Sequence, residues 1–168
     1  MTDLKALNYT VGDHVVYPTH GVGIIKGIED QEVGGLTIKL LVIEFTKDRM
    51  TLRVPTTKAA VAGLRRLSSE GEISAALKKL YGKSRIRKTL WSKRAQEYET
   101  KINSGDPSSI AEVVRELYRS PEGEELSYSE RQVYQLAFQR LASEVAAVEQ
   151  IDESLAAEKL EGMLQDAA

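Results

Sequence analysis

The chain has 168 residues, of which 23 are basic and 25 acidic, with a formal net charge of −2. This length suits one domain or two small ones, and the small net charge gives no overall attraction to nucleic acid. Because cysteine is absent, disulfides and thiolate metal sites are excluded. No apolar run is long enough to span a membrane, and the first residues lack a signal-peptide pattern. A cytoplasmic protein without a membrane partner is therefore expected; a monomer is also expected.

The N-terminal part consists of short β-branched runs separated by turn residues, a pattern typical of an antiparallel sheet. Strands are predicted over 14–17, 22–28, 36–45 and 50–54, with a fifth candidate at 64–67. The pair Gly34-Gly35 favours a two-residue hairpin, and a further turn is predicted at Lys47-Asp48. Short strands at this spacing predict a small barrel of the SH3 or Tudor type.

From residue 68 onward the apolar spacing is helical. Ser69 with Glu72 and Ser127 with Glu130 predict capping boxes, and Asp106-Pro107 predicts another helix start. The helices are expected near 70–80, 89–103, 107–119 and 128–150, with a last one after Asp152. The predicted fold is thus α+β in two domains: a small Tudor/SH3-like β-barrel at 1–60, then an all-α helical domain at 61–168.

The sequence contains no strong catalytic or metal-binding signature. His14 and His20 lack the further ligands that a metal site needs. Gly21 and Gly23 form only a fragment of a phosphate-binding loop, since the third glycine and the following helix are missing. Neither a Walker A motif nor a nucleophile elbow is present. We therefore expect no enzyme activity, no catalytic residue, no metal and no cofactor.

The most informative segment is 73–96, which holds eight of the basic residues, no acidic residue and the only tryptophan, Trp91. Basic charge attracts phosphates, and an apolar ring can stack on a base or wedge between base steps. A solvated charged face is an equally weighted alternative. The helical spacing of Trp91, Ala95, Tyr98 and Ile102 also allows Trp91 to be a core residue. Its place in the first helical turn, beside charges that are costly to bury, favours exposure.

Several motifs resemble the CarD/CdnL family of bacterial RNA polymerase-binding regulators, in order and over nearly the whole chain. They are Val-Gly-Asp-His-Val-Val-Tyr-Pro-Thr-His-Gly at 11–21, Leu-Arg-Val-Pro at 52–55, Val-Ala-Gly-Leu-Arg at 61–65, Trp-Ser-Lys-Arg at 91–94, Ser-Gly-Asp at 104–106, Ala-Glu-Val-Val-Arg-Glu-Leu-Tyr at 111–118 and Leu-Ser-Tyr-Ser-Glu-Arg at 126–131. The chain departs from some relatives at Gln31 and Gln96, where they carry a basic residue.

This resemblance implies a Tudor-like domain that docks on the RNA polymerase β subunit through its sheet edge, and a helical domain that contacts promoter DNA. The contact would lie in the minor groove at the upstream edge of the bubble, stabilising the open complex without reading a base sequence. The residues expected at the polymerase are Met50, Leu52, Arg53 and Pro55. Those expected at DNA are Arg85, Arg87, Lys88, Trp91, Lys93 and Arg94, with Trp91 as an exposed wedge.

Two other functions are compatible with the sequence. One is an SH3-like protein-protein adaptor without DNA contact, in which charge removal at Arg85, Arg87 and Lys88 would leave activity intact. The other is a sequence-specific repressor that places a helix in the major groove and binds discrete operators without polymerase.

Overall fold

The computed structural model describes residues 9–45, 49–82, 90–120, 123 and 125–167. Its contacts divide the chain into two compact units, residues 1–67 and 68–168. The boundary predicted from the sequence lies at 60/61; the difference is the segment that contains the fifth strand, which pairs within the first unit. The two-domain α+β class predicted from the sequence is confirmed, with a sheet first and helices after it.

The first unit, here the sheet unit, is built on one antiparallel sheet. Its strands are β1 (His14–Tyr17), β2 (Gly21–Val33), β3 (Leu36–Phe45), β4 (Thr51–Pro55) and β5 (Arg65–Arg66), in the order β4-β3-β2-β1-β5. The predicted hairpin between β2 and β3 is confirmed. Gly34 and Gly35 both have positive φ, 59° and 82°, which other residues adopt only with strain. The turn predicted at Lys47-Asp48 lies outside the described residues.

The core of the sheet unit lies on one face of the strands. Alternate residues of β3 are buried there, with Leu41 and Ile43 fully enclosed, because successive side chains of a strand point to opposite faces. Gly23 on β2 allows this packing: a Cβ at that position would lie 2.6 Å from Cγ2 of Ile43. A short helix, α1 (Thr56–Ala62), follows β4 directly and buries Ala59 in the same core.

The second unit, here the helical unit, contains five further helices around one core. They are α2 (Glu70–Lys78), which continues into a 3-10 turn (Lys79–Tyr81), α3 (Trp91–Asn103), α4 (Pro107–Leu117), α5 (Tyr128–Glu149) and α6 (Glu153–Ala167). Both predicted capping boxes are formed, and Asp106 caps α4 with Pro107 in its first turn. The core includes Leu117, Leu141 and Leu160. None of the helices in the described part of the chain is long and apolar enough to cross a bilayer.

Candidate functional site

One edge of the sheet unit is formed by β4. The strand order ends at β4, which pairs with β3 through Val42 opposite Arg53 and Glu44 opposite Thr51. The amide of Phe45 donates to the carbonyl of Met50 at 2.9 Å. Because hydrogen-bonded and non-hydrogen-bonded pairs alternate in an antiparallel ladder, the backbone groups of Thr51 and Arg53 point away from the sheet. Such an edge is a template on which a partner strand can add.

The four residues predicted at the polymerase lie together on and beside this strand but differ in accessibility. Met50 and Leu52 are half-buried and pack against the core of the sheet unit. Pro55 ends the strand, is half-buried and offers no amide to a partner. Arg53 is the exposed member: 56% of its side chain is accessible, and its Nε lies 3.3 Å from Oε2 of Glu29. Arg53 is therefore the side chain best placed to contact a partner.

An exposed apolar strip that was not predicted from the sequence lies on the face of the sheet that also carries Arg53. It comprises the exposed Val33 and Leu36 and the half-buried Ile38, near the tip of the β2–β3 hairpin. Val33 pairs with Leu36 and Gln31 with Ile38, and Leu36 is 72% exposed. Exposed apolar residues in one contiguous patch mark an interaction surface more often than scattered ones do. The alternation of Leu36, Ile38, Leu40 and Val42 along β3 was the signal available in the sequence.

The start of α3 corrects the expectation that Trp91 is an exposed wedge. Trp91 is half-buried and packs against the core of the helical unit. Its ring centroid lies 6.1 Å from that of Tyr98, which is itself buried. The cause is the apolar spacing already visible in the sequence, since residues separated by seven positions lie on one helix face. Part of the indole therefore contacts the core, and the rest is open to solvent.

Arg94, predicted to contact DNA, is also engaged within the helical unit. Its guanidinium carbon lies 5.6 Å from the ring centroids of both Trp91 and Tyr98, and its Nη2 donates to the Tyr98 hydroxyl at 3.0 Å. Burial raises the pKa of Tyr98, and the arginine opposes that rise while a hydrogen bond to Glu116 adds to it. Arg94 therefore holds the Trp91 ring in position.

Among the predicted DNA-contacting residues, Lys93 is the one that the described structure places in solvent. It forms no ion pair among the described residues. Arg85, Arg87 and Lys88 lie outside the described residues. No acidic residue occupies the first turn of α3, so the surface around Lys93 at this end of the helix keeps its positive charge.

A shallow cavity of about 550 Å³ runs along α3 and carries both signs of charge. Its lining includes Lys93, Gln96, Glu97, Lys101 and Glu116. Glu112 is shared by two lysines: it lies 3.0 Å from Nζ of Lys101 and also accepts from Lys79 at 2.6 Å. The hydrogen bond from Lys79, followed by that from Lys101, lowers the pKa of Glu112. Because one carboxylate offsets only one of the two lysines, positive charge lies along α3 as well as at its start, beside the acidic Glu97 and Glu116. Over the described part of the chain, no cluster of three or more histidine, aspartate or glutamate residues is placed to hold a metal ion.

Comparison with known proteins assigns each unit to a domain family. The model of the CarD-like/TRCF RID domain matches residues 9–68, and the model of the CarD C-terminal domain matches residues 75–161. Together these two domains define a class of two-domain transcription regulators.

A relative from Bacillus subtilis (strain 168), described as "Putative transcription factor YdeB", is 30% identical over 145 residues, covering 86% of this chain and 95% of the relative. The chain belongs to the CarD family. The sequence-based family assignment is confirmed, and the protein is a transcription regulator.

Proposed function

We propose that this protein is a non-catalytic regulator that docks on the β subunit of RNA polymerase through the β4 edge and stabilises the open promoter complex through the start of α3. The observation that carries the proposal is the β4 edge itself. It combines outward backbone groups with the exposed Arg53 in a domain whose family is shared with transcription-repair coupling factors.

The DNA contact is supported by the charge and ring chemistry of the α3 start. An apolar side chain inserted between base steps costs unstacking energy, which is smaller where the duplex is already distorted. The upstream edge of a transcription bubble is such a place. A regulator that binds open DNA better than closed DNA shifts promoters toward the open state, by no more than that difference in affinity.

Docking on polymerase explains how a protein with a net charge of −2 acts on DNA. A tether converts the DNA contact into an intramolecular step and raises the effective concentration of the contacting groups. A few basic residues are then enough for the DNA contact. Promoter selection would be determined by polymerase and by DNA deformability.

The adaptor function remains the second candidate because of two observations on the helical unit. Trp91 is half-buried and Arg94 is engaged by Trp91 and Tyr98, which leaves fewer side chains for DNA than the sequence predicted. In an adaptor, the β4 edge would bind its partner and the α3 start would contact nothing.

Docking on RNA polymerase through the sheet unit is tested by binding to the purified enzyme, whereas the salt dependence described below separates a DNA-contacting regulator from an adaptor. The full chain, residues 1–67 and residues 68–168 are each tested for capture of polymerase, with circular dichroism to verify that each fragment is folded. We expect the full chain and 1–67 to be retained and 68–168 to be washed away. Retention of 68–168 alone would contradict docking through the sheet unit.

Neutralising Lys93 should weaken the DNA contact through phosphates. For Lys93→Gln, we expect the magnitude of the slope of log K against log salt to fall by about 0.9, the value for one phosphate contact on duplex DNA. The measurement is binding to polymerase-promoter complexes across a salt series. The sequence also predicts DNA contacts from Arg85, Arg87 and Lys88. Removing these three charges together should lower the slope by a similar amount for each phosphate contact that is lost.

The matched control for this measurement is Lys159→Gln. Lys159 lies on α6 in the same unit and pairs with Glu149, so its replacement changes the net charge equally without touching the start of α3. An equal fall in slope for both variants would mean that overall charge, and not a local contact, governs binding.

A further inference from the structure

The most exposed apolar side chain in the described part of the helical unit is Leu90, which immediately precedes Trp91. Leu90 is 79% exposed, whereas Trp91 is half-buried against the core. The apolar side chain most open to solvent at the start of α3 is therefore a leucine, which was not among the residues predicted to contact DNA.

Leu90 contributes little to the helix that it opens. It occupies the N-cap position, where its side chain makes no capping hydrogen bond, although serine, threonine, aspartate and asparagine are strongly preferred there. Helices α2, α4 and α5 of the same unit are capped in that way by Ser69, Asp106 and Ser127. The backbone carbonyl of Leu90 accepts from the amides of Lys93 and Arg94 at 3.1 Å. Any residue would supply that carbonyl, so helix stability does not account for a leucine.

The surroundings of Leu90 match a nucleic-acid partner in charge. Lys93 is exposed one turn further along the helix, and the first turn contains no acidic residue. If the exposed Leu90 side chain bound an apolar protein surface, the positive charge of Lys93 would add little to the affinity. The phosphates that flank a DNA groove, in contrast, would pair with that charge. Leucine is also one of the side chains with which minor-groove proteins separate base steps.

We propose that Leu90 is a second inserting side chain, which enters the minor groove beside Trp91 and separates the base step at the duplex edge. Trp91, held by Tyr98 and Arg94, supports it from the side of the core. This inference rests on the proposed function, because it specifies which atoms of the α3 start meet the DNA.

Leu90→Ser separates a structural role from a DNA-contacting role. A structural role would lower the unfolding midpoint, whereas a DNA-contacting role would shorten the open-complex lifetime without lowering that midpoint. Serine is a preferred N-cap residue, so the midpoint of denaturant unfolding should stay the same or rise. Binding to polymerase should be unchanged. Open complexes should nevertheless dissociate about five- to tenfold faster, as expected when a partly buried leucine side chain is removed from an interface. Leu90→Phe, which retains a wedge-forming side chain, should keep a lifetime near wild type.

Two results would overturn the inference. One is an unchanged open-complex lifetime for Leu90→Ser, and the other is a shorter lifetime that accompanies a lower unfolding midpoint. Lys93→Gln, measured alongside, separates the failures. If it lowers the salt slope while Leu90→Ser has no effect, the DNA contact stands and Leu90 has no part in it. If neither variant has an effect, the DNA contact is itself absent.

Discussion

Reversing the charge at Arg53 is expected to reduce affinity for RNA polymerase by about 30-fold or more. Arg53 is exposed at the sheet edge with outward backbone groups, and a like-charge contact across an interface costs several kcal/mol. A loss of about 2 kcal/mol corresponds to that factor. The unfolding free energy should change by less than about 1 kcal/mol, because the ion pair of Arg53 with Glu29 is exposed at both ends. Equilibrium binding and denaturant unfolding on Arg53→Glu measure the two effects.

The ion pair with Glu29 provides the matched control. Arg53→Glu removes this pair as well as any contact with polymerase, so weak binding alone could reflect a changed sheet. The double variant Glu29→Arg/Arg53→Glu restores the pair with its charges exchanged. If Arg53 itself meets polymerase, the double variant should bind as poorly as the single one. Binding restored by the exchange, or wild-type affinity in Arg53→Glu, would show that the interface lies elsewhere.

Most of the fold could be predicted because its local signals agree with its packing. The strand at 14–17 and the strand at 36–45 have the observed bounds, and both capping boxes form. Helix α1 was missed because its seven residues are too few to show a helical period and include β-branched Thr56, Thr57 and Val61, which favour strands. It is fixed by tertiary packing instead, through the buried Ala59. The Gly63 C-cap, with φ of 87°, was its clearest local signal.

The site was harder to predict than the fold, since accessibility depends on neighbours that no local pattern specifies. The charges near Trp91 indicated an exposed ring, but Tyr98 and the helical core cover part of it. Arg94 resembles any surface arginine in sequence, yet its guanidinium lies over two rings. Leu36 was predicted only as the first residue of a strand and Val33 lay outside the predicted strands; their position in one strip follows from the register of β2 and β3.

Replacing Trp91 by alanine should affect both stability and promoter opening. A fully buried tryptophan costs about 3–5 kcal/mol when truncated. Because Trp91 is half-buried, we expect a loss of about 1–2 kcal/mol, more than the near-zero change that an exposed wedge would give. The open complex should also dissociate several-fold faster, since the ring flanks the inserted group and its removal frees Arg94 from one of its two aromatic neighbours. Denaturant unfolding and open-complex decay are measured on the same variant, with polymerase binding expected to be unchanged.

A control variant that destabilises the helical unit at another position shows whether the faster open-complex decay comes from loss of the DNA contact or from lower stability of the unit. Ser127→Ala removes the capping box of α5 and should destabilise the helical unit by about 1 kcal/mol. Ser127 lies on a different helix from Trp91. If the DNA contact is real, Ser127→Ala should leave open-complex decay near wild type while Trp91→Ala accelerates it. Equal acceleration by the two variants would assign Trp91 to the core alone. The same assignment follows if decay is unchanged in Trp91→Ala with full polymerase binding, and Lys93 and Leu90 would then have to account for any contact with DNA.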